Sequence, residues 1–262
     1  MGHTLYVGAD HSVRPIASRG VSPFDYLWGL LMENKTSKAD IVLALGVTGI
    51  IGVLLTILSD LILLGRPNSA YSFLILGTES MADLAQWRIT AGTFIGVIAL
   101  PFQIAGLISV YYGLKPSGRV MPLMVVITNA HAIIMGVAFH MSYAFIGSGW
   151  KLYYEMGPGN KITSEIVKRF DSYWKIIVII MLTELLFSSI IYVFLIMKGN
   201  SLYPKWMAIL NPLCVLICLF PVLLSLPAPI GGFIAPAYLN ITTMVFLSFS
   251  TAVIYKKLKN NI

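Results

Sequence analysis

The sequence predicts an all-α membrane protein, a polytopic bundle of six transmembrane helices, and three observations carry that expectation. First, 57% of the 262 residues are hydrophobic and 11% are charged, against about 45–50% apolar and about 25% charged in soluble domains. Second, the apolar residues gather in six runs, each near the roughly 20 residues a helix needs to cross a bilayer core of about 30 Å. Third, these runs lack the alternation of barrel strands, and backbone groups in hydrocarbon must be satisfied within their own segment, which leaves helices.

Taken in order, residues 1–31 read differently from the rest. They hold no basic start followed by an unbroken apolar stretch, so they are not a secretory signal, and "MGHTLY" lacks the Ser or Thr wanted for myristoylation. From Met32, "MENKTSKADIVLALG" reads as the polar, basic start of a polytopic chain. Residues 1–31 are therefore expected to be a non-native or disordered extension, and residues 32–262 a single six-helix domain.

The expected spans are Ile41 to Leu64, Ile89 to Tyr112, Val120 to Ile146, Tyr173 to Met197, Lys205 to Leu226 and Gly232 to Tyr255. The connection "GRPNSAYSFLILGTESMADLAQWR" is half apolar and longer than a tight hairpin requires, so it is expected to fold back as a partial lid. Between the third and fourth spans, Ile162, Ile166 and Phe170 recur at helical spacing opposite Glu165, Lys168 and Arg169, which predicts a stretch lying along the headgroup layer. The glycines of "GVTGIIG" and "GTFIG" predict close helix approach. Pro101, Pro212 and Pro221 would bend their helices.

Charge and cysteine content narrow the partners. The net charge of +7 comes from basic residues spread thinly between apolar runs, which argues against a nucleic-acid partner and reflects topology instead. Counted by loops, basic residues favour both termini on the cytoplasmic side. Cys214 and Cys218 lie one turn apart in an apolar run and read as small packing residues.

Function must come from ionisable groups at membrane depth, since each one at a helix centre costs about 2.5–3.5 kcal/mol and must be paired, hydrated or neutral. Asp60, His131, His140 and Glu184 fall within spans; Glu79, Asp83 and Arg88 precede the second. Glu184, His140 and Asp60 are the catalytic candidates. Asn129, Glu79, Asp83, Arg88 and Asn240 are the ligand-binding candidates. Glu184, near the midplane, ranks first. Nine residues separate His131 from His140, which puts them on opposite faces of one helix, whereas Asn129 shares the face of His140. Asp60 and Arg88 are expected to form an ion pair across the first two spans. "ILSDLIL" and "MLTELLF" match in chemical type, which would suit an inverted repeat.

The combination of "ILSDLILLG", "WRITAGTFIGVIALPFQIAGLISVYYGLKP" and "AHAIIMGVAFH" resembles a group of uncharacterised bacterial multi-pass membrane proteins, a domain of unknown function, over residues 41 to about 150. The resemblance implies no activity; it implies a bacterial cytoplasmic membrane. Ser59, Asp60 and two histidines also look like parts of membrane hydrolases with a zinc site, but the His pair one turn apart that such a site wants is missing. No metal or cofactor is expected. The expected function is a non-catalytic membrane factor, with an immunity, assembly or sensory role and an outward-facing polar cavity. The alternatives are an acid–base enzyme acting on a lipid or small amphiphile, and a small proton-coupled transporter. Membrane lipids are the expected partners, with a lipid or amphiphile as ligand and a second copy or another membrane subunit as neighbour.

Overall fold

The computed structural model describes residues 37–260, so the reading of residues 1–31 as an extension falls outside the described residues. Every regular element among the described residues is helical. The helices are α1 (Lys38–Leu64), α2 (Ala70–Leu76), α3 (Gln86–Leu114), α4 (Val120–Glu155), α5 (Lys161–Met197), α6 (Pro212–Leu224), α7 (Ile230–Ile234) and α8 (Tyr238–Lys259).

The central pair is α1 and α3, packed antiparallel along most of their length, with α4 against α3, α5 against α4, and α8 against α1 and α3. Small residues allow that pairing. A Cβ added at Gly49 would lie 2.6 Å from the Gly106 Cα, and one added at Gly92 would lie 2.6 Å from the Leu63 Cβ. Backbones that close gain dispersion contacts that larger side chains would prevent, the usual source of helix association where water supplies no hydrophobic drive.

One end of the bundle, the lid end, is where α1 finishes. The Arg88 guanidinium there donates to the carbonyls of Ile62 at 2.7 Å and Gly65 at 2.6 Å, capping the last turn of α1. This corrects the expected Asp60–Arg88 ion pair: a cation beside the free carbonyls of a helix C-terminus meets both unsatisfied acceptors and the negative end of the dipole. At the opposite, base end, the Leu202 amide donates to the Gly113 carbonyl at 2.8 Å. The Tyr203 hydroxyl donates to the Ser109 carbonyl at 3.2 Å, and burial pushes its phenol above the ordinary range.

Five helices are long and apolar enough to cross a membrane: Lys38–Leu64, Gln86–Ser117, Val120–Glu155, Lys161–Met197 and Ile230–Lys259. The expected fifth span is not among them. Its first residues, Lys205–Ala208, form a 3-10 turn, and α6 begins only at Pro212. The cause is local. The Asn211 side chain accepts from the Cys214 amide at 3.1 Å as an N-cap, and Pro212 takes the first helical position, a pairing that starts a helix and blocks continuation from upstream. With 13 residues, α6 is about 20 Å long at 1.5 Å per residue.

The stretch expected to lie in the headgroup layer does not form a separate helix. It is the first third of α5, which runs unbroken for 37 residues, while α4 runs for 36. Asn160 caps α5 by accepting from the amides of Ile162 and Thr163, and nothing between Lys161 and Met197 interrupts the backbone ladder. The turn is made before it, where Gly157 takes a φ of +87° that only glycine adopts freely. Glu155 lies 15 residues beyond His140, and Leu64 only 4 beyond Asp60, so the α4–α5 hairpin projects about 16 Å past the end of α1.

The connection after α1 does fold back. The 3-10 segment, Thr78–Asp83, lies against α4 of this hairpin, while α2 packs on α7 and α6. Met81, Leu84 and Ile146 are buried together with Leu63, Ile89 and Tyr143. Apolar residues in a connection between spans gain nothing from water, so they seat on the projecting helices instead.

Candidate functional site: a buried polar cluster beside an apolar cavity

Four helices bring polar side chains to one point. Asp60 of α1 accepts at Oδ2 from the Asn240 amide of α8 at 2.7 Å, and its Oδ1 lies 3.5 Å from Nε2 of His140 on α4. Gln103 of α3 donates to Thr56 Oγ1 at 3.0 Å and to Asn240 Oδ1 at 3.3 Å. The Thr56 hydroxyl donates in turn to the Gly52 carbonyl at 2.8 Å. Asp60 is 4% exposed and both Gln103 and His140 are 2% exposed, so these groups depend on each other for partners. Next to them the Ser59 hydroxyl donates to the Gly92 carbonyl, which ties α1 to α3.

His140 is seated in a notch. A Cβ on Gly96 would overlap its imidazole, so the ring reaches Asp60 because α3 carries no side chain at that point. Phe139 and Tyr143 pack edge-on to the ring, with centroids 6.0 and 6.2 Å away. Nδ1 is buried with no hydrogen-bond partner, leaving the ring held by shape and by its Asp60 contact.

A cavity of about 590 Å3 runs beside this cluster. Asp60, Gln103, His140 and Asn240 line it, and so do Asn129 of α4 and Glu79 of the lid. Most of the wall is apolar, with Leu100, Phe139, Met181, Leu185 and Phe246 among its members. Lining positions on α4 run from Asn129 to Trp150, a stretch of about 31 Å along the helix. The lid end is closed over by contacts that cross elements. The Thr78 hydroxyl donates to Asp171 Oδ1 at 3.1 Å, Trp150 Nε1 donates to Thr78 Oγ1 at 3.3 Å, and the Tyr154 hydroxyl donates to Glu79.

The remaining sequence candidates fall elsewhere. Glu184 pairs with His131 between α5 and α4 and is not among the cavity lining; its second oxygen is buried without a partner. The two histidines of α4 thus face opposite neighbours, as their spacing predicts. Asn129 lines the cavity but donates to the Val125 carbonyl of its own helix at 2.8 Å. Arg88 is the cap described above. Asp83 lies outside the lining; burial holds the nearby Arg66 guanidinium below its ordinary pKa, with Asp83 opposing that fall.

Sequence reasoning passed over three residues that build the site. Gly96 reads only as a packing glycine, and the sequence alone assigns no role to Gln103 or Thr56. A signal for them exists: Thr56 and Asp60 are four apart on α1, hence on one face, and Gly96 and Gln103 are seven apart on α3, hence on one face as well. The inverted repeat finds no support in packing, because α1 and α3 pack along their length while their counterparts α5 and α6 barely touch. Among the described residues no group of three His, Cys, Asp or Glu is placed to hold a metal ion.

No curated protein and no solved structure matches this chain. A family model does, over residues 32–257, which takes in all eight helices but the last turn of α8. The chain therefore belongs to that family, described as a family of unknown function (DUF6796).

Proposed function

We propose that the protein is a non-catalytic membrane factor that binds an amphiphile, with the tail along the apolar cavity and the head at the Asp60–His140–Asn240 cluster. The observation that carries this reading is the junction itself: a long apolar space meets a small set of convergent polar groups at one point, the arrangement by which small-molecule sites fix an otherwise greasy ligand. In this reading the chain crosses the bacterial cytoplasmic membrane six times, with both termini cytoplasmic and the lid end outside.

The test is to purify the protein and identify the lipids it retains. The Cβ of a residue at position 136 would meet Leu100 at an ordinary 3.4 Å and Met181 at 3.8 Å, so Gly136→Leu places its branch in the cavity without breaking the helix contact. It should retain several-fold less of a distinct lipid or amphiphile while melting no lower than the parent. Retention of bulk lipid in bulk proportions by both proteins would overturn the reading. A second reading, acid–base catalysis, is favoured by the Asp60–His140 contact at 3.5 Å, since a carboxylate beside an imidazole can pass a proton. It requires Asp60→Asn to change the chemical identity of the retained molecule instead of its amount.

A further inference from the structure

We propose that the head group received where Asp60 meets the cavity is a cation, an alkylammonium; this rests on the amphiphile reading above and names the class of ligand. Three observations converge on it.

The first is the charge of the wall. Its carboxylates are Asp60, Glu79 and Asp171, and its one Lys or Arg is Lys175, which is already committed to Asp171 at 2.6 Å. Arg66 and Arg88 are not among the lining residues. Asp60 and Glu79 therefore face the cavity with no cation of the described chain opposite them.

The second is how Asp60 is held. It is 4% exposed, and its partners are the Asn240 amide, which carries no charge, and the His140 ring at 3.5 Å. A carboxyl group removed from water stays ionised only with a counter-charge in contact, and otherwise takes up a proton. An ammonium group entering from the cavity supplies that charge; a phosphate or carboxylate head would meet repulsion at the same point.

The third is aromatic. Phe139, Tyr143 and Trp174 form one cluster, with centroids 4.9 Å apart for Phe139–Tyr143, 5.6 Å for Phe139–Trp174 and 6.4 Å for Tyr143–Trp174. All three line the cavity that Asp60 lines, and Phe139 and Tyr143 pack on His140. Ring faces attract a desolvated cation through their quadrupole, and aromatic walls combined with a carboxylate suit alkylated ammonium groups, which offer charge with few or no N–H donors. A hydroxyl head group would gain nothing from those rings.

The experiment uses the full chain in maltoside micelles. Amphiphiles of one chain length, brominated at the tail and ending in trimethylammonium, carboxylate or hydroxyl, are titrated while tryptophan fluorescence is followed. The trimethylammonium probe should quench at about tenfold lower concentration than either twin, the ratio expected for about 1.4 kcal/mol of cation recognition. That preference should shrink several-fold in Asp60→Asn. Phe139→Leu, which removes a ring from the aromatic wall next to His140, should shrink it as well and serves if Asp60→Asn fails to fold. Three probes binding alike would overturn the cation inference and leave the amphiphile reading standing. No saturable quenching by any probe would overturn both. Tetramethylammonium chloride is added as a competitor without a tail; displacement at the concentration of the long probe would show a free ammonium ion as the ligand and overturn the amphiphile as its source.

Discussion

Gly96 leaves the space that the His140 imidazole fills, so the position of the histidine is decided on a different helix from its own. Alanine there must push either the ring or the α3 backbone, and overpacking of a filled site costs about 1–3 kcal/mol. Gly96→Ala is therefore expected to lower the unfolding temperature by several degrees, to weaken amphiphile retention, and to shift the His140 ring resonances in an imidazole-labelled sample. Lowered stability with the His140 resonances unmoved would show that the notch does not position the ring. The candidate site was partly legible at this scale. Asp60 and His140 stand out because ionisable groups are rare at membrane depth, but their pairing was not readable, since helical phase relates residues on one helix and says nothing about which helix comes opposite. Depth alone pairs Asp60 with Arg88, whereas the arginine binds the carbonyls of Ile62 and Gly65.

The α4–α5 pair shows the same principle between elements. His131 and Glu184 join these helices away from the cavity, and the side chain of His131 is 54% exposed against 18% for Glu184, so the pair sits on the outer face of the bundle at membrane depth. A hydrogen-bonded polar pair between transmembrane helices contributes about 0.6 kcal/mol on average and up to about 1.7. Removing one partner leaves the other unsatisfied in hydrocarbon, whereas removing both does not. Glu184→Leu and His131→Leu are each expected to destabilise by about 1 kcal/mol, and the double variant to recover most of that loss in a double-mutant cycle. Additive losses would mean that the two residues act independently. Retained amphiphile should be unchanged in all three, because neither residue lines the cavity. Element boundaries were less legible than element existence. The apolar runs of α1, α3 and α8 announce themselves, but Asn211–Pro212 cuts the expected fifth span where hydropathy alone stays high. The charged start of α5 reads as a surface stretch because composition does not reveal that helical hydrogen bonding continues through it.

At the scale of the molecule, the short α6 decides the topology. The residues before it are tied to the base end, where Leu202 meets Gly113, and those after it are tied to the lid end, where the Gly232 amide donates to the Asn68 carbonyl at 2.7 Å. A helix of about 20 Å joins two ends separated by a core of about 30 Å. The turn at Lys205–Ala208 and the strap from Ser225 to Pro229 supply the remaining length, and local thinning of the bilayer meets such a mismatch at a fraction of a kcal/mol per Å. The proposed sixfold crossing rests on those two anchors, and the proposed side assignment rests on Lys115, Arg119, Lys198, Lys205, Lys256 and Lys257 at the base end, since short loops rich in Lys and Arg favour the inside. Single cysteines introduced at Asn200, Pro158 and Ala228, with Cys214 and Cys218 replaced by alanine, test both claims in intact cells with a membrane-impermeant maleimide. Pro158→Cys and Ala228→Cys should label from outside, and Asn200→Cys only after the membrane is opened. If Ala228→Cys instead shares the protection of Asn200→Cys, the connection between α6 and α8 is not exposed outside and the sixfold crossing is overturned.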